Sequence, residues 1–140
     1  MFFRKARHVL AATAVLAAGT LLAGSLCWAA GDEVRTTVAT EKLPNVPGKS
    51  ITAIVVSYAP GAKSVKHHHA GSVVAYVLSG EIRSENSATG PAQVYKAGET
   101  FFEPPGSEHL VSENASATEP ASLLAVFVAD DGAQLTIFDE

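Results

Sequence analysis

Gly61-Ala62-Lys63-Ser64-Val65-Lys66-His67-His68-His69 is the stretch on which the fold and the chemistry both turn. It opens on a Pro60-Gly61 turn and ends on three consecutive histidines. Side chains alternate between the two faces of an extended strand. His67 and His69 therefore share a face, and His68 points the other way. Two imidazoles two residues apart on one face are a natural half of a metal site, and a third ligand must come from another strand. His109, just after Pro104-Pro105-Gly106, is the candidate. His8 lies near the N-terminus, so three of the remaining four histidines fall into one candidate site.

Outward from this stretch the texture is that of short strands between turns. Ile51–Tyr58 is a β-branched run ending at Pro60-Gly61. Val73–Leu78 ends at Ser79-Gly80, and Glu81–Glu85 continues by alternation. Ala88-Thr89-Gly90-Pro91 and Ala97-Gly98 are turns, and Thr100–Glu103 precedes Pro104-Pro105-Gly106. His109–Ser112 reads as short, Ser112–Ser122 as a polar surface loop, and Leu123–Val128 as a long buried strand. Asp130-Asp131-Gly132 then turns into Leu135–Phe138. No helical period follows residue 30, which predicts an all-β sandwich or barrel. Residues 30–49 read as a lead-in segment with one short strand near Arg35–Thr40, and residues 50–140 as the barrel domain.

The spacing resembles that of the cupin family. Gly61, five residues, His67-x-His69 and a later Gly80 are similar to its first motif. Gly98, five residues, Pro104-x-Gly106-x-x-His109 are similar to its second. The resemblance implies a double-stranded β-helix, or jelly roll, with a metal held inside by His67, His69 and His109. It also implies a homodimer. Two departures stand out. The family places a glutamate four residues after the second histidine, where this chain has Val73. The second motif's asparagine normally follows its histidine by four residues, and Asn114 follows by five. Without the glutamate, three neutral imidazoles would leave a divalent ion its full charge and favour anionic ligands. Glu103 or Glu108, flanking the second motif, are candidates to restore a carboxylate. A site that has lost its metal is the third reading.

Imidazole ligands suit Fe, Mn, Ni, Cu and Zn alike, so the expected cofactor is one divalent transition metal of unassigned identity. His68 reads as an outer-face residue. Val73 and Val77 read as apolar wall of the pocket; Tyr76, Tyr95, Phe101 and Phe102 read as core, though neighbours 101 and 102 cannot both face inward. Three-His members of the family include dioxygenases. The expected function is thus a metal-binding protein acting on a small organic molecule, with oxidoreductase chemistry as the catalytic form. Capture of a small ligand without turnover is the alternative.

Arg4, Lys5 and Arg7 precede an uncharged run from Val9 to Trp28 and the small residues Ala29-Ala30. This is the order of a secretory signal peptide over residues 1–29, which predicts a periplasmic or secreted protein. An uncleaved anchor is the other reading of the same run. Cys27, the single cysteine, lies within it, so the remainder can form no disulfide. Of the 10 basic residues three lie in 1–29, leaving seven against 14 acids, a formal charge of −7. Such an acidic domain lacks the clustered Lys and Arg that nucleic acid requires, and is equally unsuited to anionic membranes.

Overall fold

The computed structural model describes residues 32–139. The expected signal peptide, residues 1–29, lies outside them. Ten strands form: β1 (Glu33–Lys42), β2 (Lys49–Tyr58), β3 (His67–His69), β4 (Ser72–Ser79), β5 (Glu81–Asn86), β6 (Gly90–Lys96), β7 (Thr100–Glu103), β8 (Glu108–Asn114), β9 (Ala121–Asp130) and β10 (Thr136–Phe138). There is no helix among the described residues. The strands make two antiparallel five-stranded sheets, ordered β1-β2-β9-β4-β7 and β10-β3-β8-β5-β6. Successive strands repeatedly cross from one sheet to the other, which is the jelly-roll path of a double-stranded β-helix.

Alternation along each strand sends one set of side chains into the space between the sheets. In β9 the inward set is Ala121, Leu123, Ala125, Phe127 and Ala129. In β4 it is Val73, Ala75 and Val77. Tyr58, Ile82, Val73 and Val77 are the largest fully buried side chains. Much of the interior is alanine. Ala75 and Ala125 are direct cross-strand partners, and small residues there leave room facing β3 and β8.

Several sequence expectations shift. The strand near Arg35–Thr40 runs the full length of Glu33–Lys42 and pairs with β2, so the sheet begins well before residue 50. β8 continues to Asn114, and the surface loop shrinks to residues 115–120. Asn114 is buried there. Its amide donates to the Ala59 and Glu119 carbonyls, and its Oδ1 accepts from the Ser116 N–H, which staples this loop. Val73 and Val77 are core, while Ala75, between them, lines the cavity. Phe101 faces inward and its neighbour Phe102 outward; Tyr76 is also exposed, contrary to its reading as core.

Two glycines position the histidine strand. At Gly106 φ is +71°, a region that side-chain-bearing residues rarely occupy, and its N–H donates to the His69 carbonyl at 2.8 Å. At Gly71 a Cβ would lie 2.2 Å from the Val128 carbonyl oxygen. Only glycine lets the β3–β4 turn approach β9 so closely.

Candidate metal centre

The β3 and β8 strands are antiparallel, and His67 is paired directly with His109. Directly opposed residues project to the same face. His69 joins them from two residues further along β3. All three are buried, and one ring nitrogen from each lies within 4.8 Å of the others. With metal–nitrogen bonds near 2.1 Å, two ligands of a tetrahedral ion are about 3.4 Å apart, and about 4.2 Å if they lie on opposite sides of it. The cluster must tighten by between about 0.6 and 1.4 Å to hold an ion, depending on the geometry. His68, as its parity requires, lies on the other face, where Nδ1 is 3.1 Å from Asp139 Oδ1.

Each ring is held by its second nitrogen. His67 Nδ1–H donates to the Val65 carbonyl at 2.6 Å, and His69 Nδ1–H to the Leu135 carbonyl at 2.9 Å. A carbonyl only accepts, so Nε2 of each neutral ring carries the lone pair. His109 Nε2 lies 2.9 Å from Ser84 Oγ, which leaves Nδ1 for the interior. Partners of this kind fix tautomer and ring orientation in metal sites. Phe127 packs edge-on against His69 at 5.1 Å, and Phe101 against His109 at 6.0 Å.

A carboxylate adjoins the cluster. Glu103, at the end of β7, is 3% exposed. Its Oε2 is 2.8 Å from His109 Nδ1 and 3.6 Å from His69 Nε2. At 2.8 Å these two atoms touch, yet neither has a partner with hydrogen-bond geometry. The Ser84 hydroxyl can donate to Nε2 or accept from it, so Nδ1 can face the carboxylate either with its proton or with its lone pair. A proton or a cation between the two atoms satisfies both. Glu108, the other carboxylate candidate, is on the surface and pairs with Lys66 at 3.1 Å.

Glu103 also explains the missing glutamate. Val73 and Glu103 are direct partners across the β4–β7 ladder, so their side chains share a face. A carboxylate thus stands directly opposite the position where the resemblance would place one.

The electrostatics suit a cation. Burial lowers the His67 pKa to about 4, and neighbouring His109 and His69 add to the effect. Burial also lowers that of His69, against the pull of Glu103. For Glu103, burial pushes the carboxyl up, but His109, His69 and His67 outweigh it and hold it below the usual range. Neutral imidazoles beside an ionised carboxylate are the protonation states that metal ligation requires.

The cluster opens onto a cavity of about 40 Å³ lined by Ile54, Ala75, Leu123 and Ala125 on the opposing sheet. One water needs roughly 10–15 Å³ by this measure. Tyr58, Ser64, Ser112, Glu33 and Arg35 form its polar side. Sequence reasoning missed this group: Glu33 and Arg35 fall in the segment read as a lead-in. Their alternate spacing on a strand was the one available signal.

Comparison with known proteins agrees with this fold. A family model described as "Cupin domain" matches residues 54–127. A germin-like protein (subfamily 2 member 2) of Arabidopsis thaliana is 33% identical over 91 residues, 62% of this chain and 41% of that protein. The chain thus spans about two-fifths of that relative. Among solved structures, an uncharacterised double-stranded β-helix protein from Klebsiella pneumoniae aligns over 81% of this chain and 90% of its own, with TM-score 0.61 and 23% identity. A recombinant oxalate oxidase in complex with glycolate aligns over 77% and 55%, with TM-score 0.59 and 22% identity.

Proposed function

The chain belongs to the cupin family, and from that premise we propose that it holds one divalent transition metal on His67, His69, His109 and Glu103 and acts on a small organic molecule. The observation that carries this reading is the convergence of three buried histidine rings, one ring nitrogen from each within 4.8 Å of the others, with the buried Glu103 carboxylate 2.8 Å from His109 Nδ1. Three neutral imidazoles and one carboxylate reduce the net charge of a divalent ion to about +1. That revises the +2 expected without the carboxylate. The donor set of three nitrogens and one oxygen admits Fe, Mn, Ni, Cu and Zn.

A metal in this position would supply Lewis acidity and, for a redox-active ion, electron transfer to or from a bound molecule. The chain's own residues do the rest. The Val65 and Leu135 carbonyls keep the His67 and His69 rings in one tautomer, and Ser84 holds the His109 ring in place. Phe101, Phe127, Leu123 and Ala125 exclude bulk water from the cluster, which strengthens every charge interaction inside it. Ala75 and Ala125 leave the space that a ligand fills. Oxidoreductase chemistry is the catalytic form of this proposal, supported by the fold shared with an oxalate oxidase. The small cavity equally suits capture of a ligand without turnover.

The test is to produce the chain from Ala30 without an affinity tag and measure bound metals by mass spectrometry, beside a His67→Ala/His109→Ala variant. About one metal per chain in the parent and none in the variant supports the centre. A parent that cannot be loaded with any of the five ions refutes it. Oxygen uptake with small organic acids then separates turnover from capture. We also propose that residues 1–29 direct export; a mature N-terminus at Ala30, read from secreted or periplasmic protein, tests that.

A further inference from the structure

Among the described residues, the cavity beside the histidine cluster has a single Lys or Arg in its lining, Arg35. The same residue, with Glu33, also lines an outer cleft shared with Lys63, Val65 and Phe138. The guanidinium therefore stands where the inner cavity meets the surface. Its side chain is one-third exposed, and its Cζ lies 5.0 Å from the Phe138 ring centroid. Phe138 in turn packs against His67, with ring centroids 5.9 Å apart.

Arg35 is held by one edge. Its Nε donates to Glu33 Oε1. The other carboxylate oxygen, Oε2, accepts from Ser64 Oγ at 2.6 Å. Ser64 must then accept from the Tyr58 hydroxyl at 2.8 Å, and Tyr58 from Ser112, also at 2.8 Å. This relay of hydroxyls, buried at Tyr58 and Ser112 and half-buried at Ser64, fixes Glu33 and, through it, Arg35. Among the described residues the terminal nitrogens of Arg35 make no hydrogen bond to protein. A planar fork of donors, preorganised at the mouth of an otherwise apolar and acidic cavity, matches a carboxylate.

We infer that Arg35 is the residue that selects the substrate, and that the substrate is a small carboxylic acid. Its carboxylate pairs with the terminal nitrogens of Arg35, and the remainder of the molecule enters the cavity toward the histidines. The inference rests on the metal reading above only for what that far end meets. The cavity volume of about 40 Å³ restricts the acid to a few heavy atoms beyond the carboxylate. Glu33 has a second role here: by competing for the same guanidinium it rejects ligands that bring no negative charge.

Calorimetric titration of the metal-loaded chain from Ala30 with formate, acetate, glycolate and oxalate, and with uncharged ethylene glycol, tests this. At least one acid binds the parent, and ethylene glycol does not. Arg35→Gln weakens acid binding about 10- to 100-fold, the range for a charge-assisted hydrogen bond, with metal content unchanged. Arg35→Lys, a single point charge, recovers part of the loss, and Glu33→Gln tightens binding a few-fold by releasing Arg35. No acid binding to the parent, or equal binding to Arg35→Gln, overturns the inference. Metal content, measured on each sample, separates the two proposals. Full metal with Arg35-independent binding refutes only the role of Arg35. Arg35-dependent binding to a chain that takes no metal refutes only the metal centre.

Discussion

Replacing Glu103 by Gln keeps the shape of the side chain and removes its charge. In the metal-loaded protein this takes the one anion from a buried site whose other ligands are neutral. Loss of a partner that merely orients a ligand costs 10- to 100-fold in metal affinity, about 1.4–2.7 kcal/mol. A carboxylate that ligates directly should cost at least the upper figure. The metal-free protein should respond the opposite way. Glu103 Oε2 and His109 Nδ1 face each other at 2.8 Å, both buried and both without a directed partner. A glutamine amide can donate to that nitrogen or accept from it, whichever tautomer the ring takes, and forms a hydrogen bond worth about 0.5–1.5 kcal/mol without a buried charge. Weaker metal binding together with an equal or more stable apo-protein is thus the expected signature. Affinity is read by competition titration with a chromogenic chelator, and stability by urea unfolding of the apo-protein. The ladder offers a rescue: in Val73→Glu/Glu103→Val the carboxylate returns to the strand where the family carries it, on the same face, and much of the affinity should return. Unchanged metal affinity in Glu103→Gln would refute the assignment of this side chain as a ligand.

Two further outcomes follow from the same geometry. In the apo-protein His67 is held neutral down to a pKa of about 4 against 6.5 when unfolded, so the unfolded chain binds the extra proton between those values. Stability therefore falls as pH drops from about 6.5 to about 4, by about 3 kcal/mol from this residue alone. Glu103, with its pKa lowered, adds a loss further into acid. Urea midpoints at pH 7 and 4.5 measure this, and a flat profile, or the same slope in His67→Gln, would contradict it. Gly71→Ala puts a methyl group 2.2 Å from the Val128 carbonyl oxygen and must push the β3–β4 turn off β9. A loss of about 1–3 kcal/mol is expected in thermal or urea unfolding, with metal affinity reduced as His69 shifts; a neutral result would mean the backbone yields freely there.

Much of this protein was legible before any coordinates. The turn residues at 60–61, 79–80, 97–98 and 104–106 bracket short alternating runs, and such runs can bury a face only by forming sheets. Parity alone put His67 and His69 on one side and His68 on the other, and the structure agrees. Motif spacing brought in His109, which the β3–β8 register sets opposite His67. These are local facts, dictated by the two-residue period of a strand and by which residues can turn.

Cross-strand register is a different kind of fact. Glu103 lies 30 positions after Val73, and only the β4–β7 ladder makes them neighbours on one face. Read along the chain, Glu103 and Glu108 were equal candidates. The structure separates them because one ends β7 facing inward and the other begins β8 on the surface, beside Lys66. Arg35 was hidden for the same reason: it lies in a segment without a strong apolar pattern. It reaches the cavity because β1 pairs with β2, setting Arg35 opposite Val56. Local periodicity therefore determined an all-β fold and the shared face of His67 and His69, and the motif resemblance added His109. Long-range strand pairing, whose energy depends on the whole packed sheet, decided where the carboxylate and the cation stand.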